Sequence, residues 1–130
     1  MEIRIEEVGE SSSVRFSSPS VSGYAAFVPY RSKIPPQVGD TFAAETAQES
    51  VSAFRVEGPQ DPKGITALPT PGEYMVVAVV VDCWEDWRLA VVVDDWSFML
   101  DLTDIDTPIP RKGDAVSFVV HGLSLYDTGI

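Results

Sequence analysis

The sequence predicts a mainly β fold, a small antiparallel barrel or sandwich with at most one short helix. Three observations carry this. Two unbroken apolar runs, 75–81 and 89–93, are dominated by β-branched Val and have the length of strands rather than helices. Segments 2–8 and 115–121 alternate apolar and polar residues with a period of two. Gly, Pro, Asp and Ser punctuate the chain at the short intervals typical of hairpin proteins. About seven to nine short strands follow from this pattern. An OB-like, partly open barrel is one architecture that accommodates them.

Taken in order, Ile3 and Ile5 share one face of the first strand, opposite Glu2, Arg4 and Glu6. Gly9-Glu10-Ser11 turns the chain, and Val14 and Phe16 resume the alternation as a hairpin partner. The Ser-rich stretch 11–22, with Pro19, reads as loop or ragged edge. Segment 24–30 is a third strand. Pro35 and Pro36 then hold the chain extended until Gly39-Asp40 turns it. Segment 41–55 has two readings. Asp40 could cap a helix presenting Phe42, Ala47, Val51 and Phe54. Gly39 before the cap and the β-type run 51–56 favour two strands instead. Segment 58–72 carries four prolines and three glycines and reads as an irregular loop or linker. The runs 75–81, 89–93 and 96–102 form a central hairpin or meander. The two Val runs lack alternation, so both faces are expected to be covered. Val116, Phe118 and Val120 mark a further inward face, and Gly122 suggests a bulge before the last strand.

The length of 130 residues fits one compact domain, with 1–57 and 73–130 as candidate halves joined by 58–72. An internal echo suggests that the halves are similar. Ile34-Pro35-Pro36-Gln37-Val38-Gly39-Asp40-Thr41-Phe42 resembles Ile109-Pro110-Arg111-Lys112-Gly113-Asp114-Ala115-Val116-Ser117-Phe118, each reaching Gly-Asp and then a strand. The same pattern also arises as ordinary turn chemistry.

The formal charge is −11. It argues against nucleic acid and anionic membrane as partners, since phosphate binding needs clustered Lys and Arg. It favours a basic protein partner, or it serves solubility alone. No apolar run approaches the roughly 18 residues that a membrane span requires. The charged, alternating N-terminus has no signal-peptide core, and the single Cys83 fits a reducing compartment, so the expected location is cytoplasmic.

Catalytic signatures are sparse. No phosphate-cradling glycine motif and no G-x-S-x-G is present. One Cys and one His cannot form the usual zinc set. Asp101, Asp104 and Asp106 lack the spacing of a calcium loop. His121 reads as an ordinary sheet histidine, although triad members need not be adjacent in sequence. Paired carboxylates could serve a hydrolase only in a cleft with one raised pKa. Acids beside Cys83 disfavour a reactive thiolate there. No enzyme activity, cofactor or metal is expected.

The tryptophans are more informative. Trp84 and Trp87 lie among Glu85 and Asp86, and Trp96 follows Asp94 and Asp95. Aromatic anchors ringed by charge resemble an interface hot spot, whereas indoles capping a core are the competing explanation. Trp84, Glu85, Asp86, Trp87, Asp94, Asp95 and Trp96 are therefore the expected partner-binding residues. The expected function is a non-enzymatic acidic domain that binds a basic protein, in its sharpest form an immunity-type inhibitor of a toxin. The alternatives are a sugar- or peptide-binding domain with tryptophan platforms, and a structural module that forms a homodimer through its Val-rich sheet.

Overall fold

The computed structural model describes residues 1–29, 35–58, 62–103 and 109–129. These form eleven strands and no helix. They are β1 (Glu2–Val8), β2 (Ser13–Ser17), β3 (Ser22–Val28), β4 (Thr41–Ala47), β5 (Ser50–Glu57), β6 (Gly64–Ala67), β7 (Tyr74–Cys83), β8 (Arg88–Val93), β9 (Trp96–Asp101), β10 (Ala115–His121) and β11 (Ser124–Asp127). Segment 41–55 is thus two strands. The segment 58–72, read from its prolines and glycines as irregular, contains β6, a correction with a simple cause. Gly64–Ala67 is the one proline-free stretch long enough to pair, and it does so with the start of β7, Ile65 opposite Val76.

Strands β1, β2, β3, β11 and β4 close a barrel in that order. All its pairs are antiparallel except β3 with β11, where Leu125 faces Phe27. The expected antiparallel barrel is therefore mixed. A parallel pair requires a long crossover, and everything from β4 to β10 lies between these two strands. The barrel is closed, not partly open as the OB-like expectation had it. The remaining strands form a second antiparallel sheet in the order β5-β10-β7-β8-β9, with β6 on β7.

One hydrophobic core joins the two sheets. Ile3, Ile5, Phe16, Phe27 and Leu125 point in from the barrel, and Tyr74, Val76, Ala78, Val91 and Phe118 from the sheet. Each of the Val, Ile, Leu and Phe side chains contributes about 1.5–3 kcal/mol by leaving water. Phe16 bridges the two, with its ring centroid 6.4 Å from Tyr74 and 5.8 Å from Trp96. The two-sided burial expected of the Val runs holds on one face only. Tyr74, Val76, Ala78 and Val80 are buried, whereas Met75, Val77 and Val79 are half-buried and Val81 is exposed.

Strands β1–β5 and β7–β11 repeat one pairing scheme. The ladder skips a residue between Ile5 and Glu7 in β1 and between Val80 and Asp82 in β7. Gly39 donates to the Ile5 carbonyl at 2.7 Å, and Gly113 to that of Val80 at 2.8 Å. Asp40 accepts from the Gln37 N–H at 2.9 Å, and Asp114 from that of Arg111 at 2.8 Å. Both glycines are left-handed, with φ of 93° and 94°. The fifth strands are exchanged: β5 leaves its own set to pair with β10, Ser50 opposite His121, and β11 returns to β4, Ser124 opposite Ala47. The sets differ at closure. β11 also pairs with β3, whereas β9 takes Thr46 Oγ1 on its Ser97 carbonyl (2.5 Å) and Gln48 Nε2 on its Met99 carbonyl (2.7 Å).

Candidate functional site

The hairpin loop Trp84-Glu85-Asp86-Trp87 joins β7 to β8. Its backbone shares two hydrogen bonds with the β1–β2 loop Gly9-Glu10-Ser11-Ser12. Gly9 N–H donates to the Ser13 carbonyl at 2.8 Å, and Trp84 N–H to that of Arg88 at 2.9 Å. The Ser12 carbonyl accepts from Phe27, and the Trp87 carbonyl from Leu102. Ser12 and Trp87 are both left-handed, with φ of 64° and 66°. Such a φ is costly for a bulky side chain. The first loop differs in that Ser11 is also left-handed, with φ of 54°, and Ser13 N–H donates to the Glu10 carbonyl at 3.0 Å. The shared bonds are thus made with glycine and serine in one copy and with two tryptophans in the other. Each indole is 40% exposed. Neither the turn nor the core accounts for them.

Acids gather around these indoles. Asp82 and Cys83 end β7 and are exposed, with Cys83 N–H donating to Asp82 Oδ1 at 3.0 Å. Glu85 and Asp86 lie in the loop, and Asp86 bonds Arg88 Nε at 2.7 Å. Asp101 faces Arg88 across the β8–β9 pair. Its carboxylate accepts from the hydroxyl and the N–H of Thr103. These bonds, and then Arg88, hold its pKa below the ordinary carboxylate value. Asp101 thus keeps its charge at the tryptophan end of the sheet. It was not among the expected site residues, because only the strand register shows that it returns to Arg88.

The expected site is divided by the structure. Asp94 and Asp95 form the β8–β9 turn, at the far end of six-residue β8. At about 3.3 Å per residue this is roughly 20 Å from the tryptophan loop. Asp94 there accepts from Ser20 Oγ of the barrel at 2.8 Å. Trp96 is a correction: it is fully buried, stacked on Phe98 with a centroid distance of 6.1 Å. Its position after two aspartates concealed an inward register shared with Phe98 and Leu100. The site reduces to Trp84, Glu85, Asp86 and Trp87 together with Asp82 and Asp101.

His121 differs from an ordinary sheet histidine. Nε2 lies 2.6 Å from Ser52 Oγ, and Nδ1 bonds Glu73 Oε2. No sequence signal marks this set, since the partners lie 69 and 48 residues away.

Among the described residues no group of three His, Cys, Asp or Glu side chains is placed to hold a metal ion. Asp104 and Asp106, considered as calcium ligands, lie outside the described residues. No described helix is long and apolar enough to cross a membrane. No family model, curated protein or solved structure matches the chain.

Proposed function

We propose that the chain is an acidic protein-binding domain whose β7–β8 hairpin docks a basic partner, in the manner of an immunity-type inhibitor that covers a cationic toxin. The repeat carries this reading. One scaffold occurs twice, and one of its two hairpin loops presents two half-exposed indoles beside Glu85 and Asp86. Exposed Trp at the centre of a charged rim is the layout in which interface energy concentrates. The charge of −11 would steer a basic partner to it at long range.

The test grafts the first loop onto the second, with Trp84→Gly, Asp86→Ser and Trp87→Ser in one variant. Since the two loops share their closing hydrogen bond and the left-handed φ of the last residue, the variant is expected to unfold at a denaturant midpoint close to that of the wild type. Partner capture from native lysate, washed through a salt series, should fall at least 100-fold, as for loss of two hot-spot residues. Capture of the same basic protein by both forms would exclude this loop.

A second reading is favoured by the outer face of the β7–β8 pair. Met75, Val77, Val79, Ala90 and Val92 are half-buried there, and Met99 is exposed. On this reading a second copy covers the face. Sedimentation velocity should then show a dimer that Val79→Lys converts to monomer. A wild-type chain that stays monomeric at high concentration removes this reading.

A further inference from the structure

We propose that Ser52, His121 and Glu73 form an acyl-transfer site for activated esters, with Ser52 as nucleophile, His121 as base and Glu73 as the positioning residue. Three observations on different levels meet here.

The first is hydrogen-bond direction. A carboxylate only accepts, so Glu73 selects the imidazole tautomer that carries hydrogen on Nδ1. The Nε2 lone pair is then left facing Ser52 Oγ at 2.6 Å, and the hydroxyl donates to it. This nucleophile–base–orienter chain is the arrangement that activates a serine, and it is recognised by geometry rather than by sequence order.

The second is local backbone. The β5–β10 ladder slips between Ser52 and Arg55, and Ala53, directly after Ser52, has φ of 52°. Bulges re-aim side chains, and left-handed non-glycine residues concentrate where function holds them. Ser52 is exposed, so a substrate can reach it. His121 and Glu73 are more sheltered, with side-chain exposures of 32% and 27%.

The third is the repeat. Val119 faces Ser52 as Glu45 faces Tyr126, and His121 faces Ser50 as Ala47 faces Ser124. The first set therefore carries Tyr126 and Ala47 in place of Ser52 and His121. β11 also lacks the slip seen in β5. The scaffold stands without the Ser-His-Glu set, so pairing these strands does not require it. The set is also separate from the tryptophan loop. Glu73 precedes β7 and Trp84 follows it, ten residues or roughly 30 Å apart along the strand.

The chemistry balances without another reactant than water. Ser52 Oγ bonds to the ester carbonyl carbon while its proton passes to Nε2. The bond to the leaving oxygen breaks, and that oxygen takes the proton from Nε2. Water, deprotonated by the same nitrogen, then releases the acid and restores Ser52. Aryl esters are the appropriate class, because a phenolate leaves with the least assistance and an exposed site admits its ring.

The chain is tested with p-nitrophenyl acetate and with a fluorophosphonate probe, and the modified residue is found by peptide mass spectrometry. The expected result is a stoichiometric adduct on Ser52, forming about 100-fold faster than on neighbouring Ser50 or Ser124, the gain typical of a positioned base. His121→Gln should reduce it to the Ser50 rate, and Ser52→Ala should abolish it while circular dichroism stays unchanged. For Glu73, nitrogen-15 spectra should show the Nδ1–H tautomer in the wild type and a mixture in Glu73→Gln, with slower labelling. No adduct, an adduct spread evenly over surface serines, or labelling insensitive to His121→Gln overturns the proposal.

Discussion

Replacing Trp96 with alanine is expected to cost about 3–5 kcal/mol, more than half the stability of many small domains. The indole is completely buried and touches Phe16 of the barrel as well as Phe98 of its own strand. Its removal opens a void where the two sheets meet, and neither sheet can collapse into it without breaking a ladder. The same residue has a second property. Among the described residues nothing accepts from the buried Nε1, and a buried donor left unpaired costs about 1–3 kcal/mol. Trp96→Phe removes the orphan donor while keeping most of the ring. It should fall within about 1.5 kcal/mol of wild type, despite the lost volume. Urea unfolding with an unchanged slope is the measurement. A small loss for alanine would contradict the packing described, and a large loss for phenylalanine would mean that the N–H does find a partner.

Gly23→Ala is expected to cost about 1–3 kcal/mol by overpacking. A methyl group there would meet Tyr74 Cε1 and Cζ at 2.9 Å. The glycine allows Tyr74 to cross from the second sheet and donate its hydroxyl to the Tyr24 carbonyl at 2.6 Å. Burial pushes the Tyr74 phenol well above its ordinary pKa, so the hydroxyl keeps its proton for this bond. In the repeated scheme the strand position of Gly23 is held by Phe98, since Gly23 faces Phe16 as Phe98 faces Val91. The strand itself therefore does not demand glycine; Tyr74 does. A double-mutant cycle with Tyr74→Leu should show the pair to be less damaging than the sum, by about 1 kcal/mol or more. Strict additivity would place the cost of Gly23→Ala elsewhere.

What the sequence disclosed and what it hid divide along range of interaction. The hairpin ends at Trp84 and Trp87 were legible because the Val runs and the acids between them are local signals. The two strands in 41–55 were legible from Gly39 and from the β-type run 51–56. Trp96 was misplaced because its neighbours Asp94 and Asp95 describe a turn, while its burial follows from alternation with Phe98 and Leu100. β6 was hidden by its flanking prolines. Asp101 and the Ser52–His121–Glu73 set depend on which strands lie side by side. That register arises from contacts dozens of residues apart, which periodicity cannot express. The Gly-Asp echo was visible as two similar phrases, yet nothing in it reveals that the fifth strands cross over.

That crossing sets a timetable for the chain as it is made. The first four barrel strands can form their hairpins early, but the gap between β3 and β4 is sealed by β11, made after all ten of the others. Until then two unpaired edges stand open, the condition under which nascent β proteins misassemble. The contacts that finish the barrel are long-range, Ala26 pairing with Ser124, so folding is expected to be slow for its size. An exchange that one chain performs with itself can also be performed by two chains with each other. At high local concentration the same β5 and β11 are the segments through which neighbouring nascent copies would become intertwined.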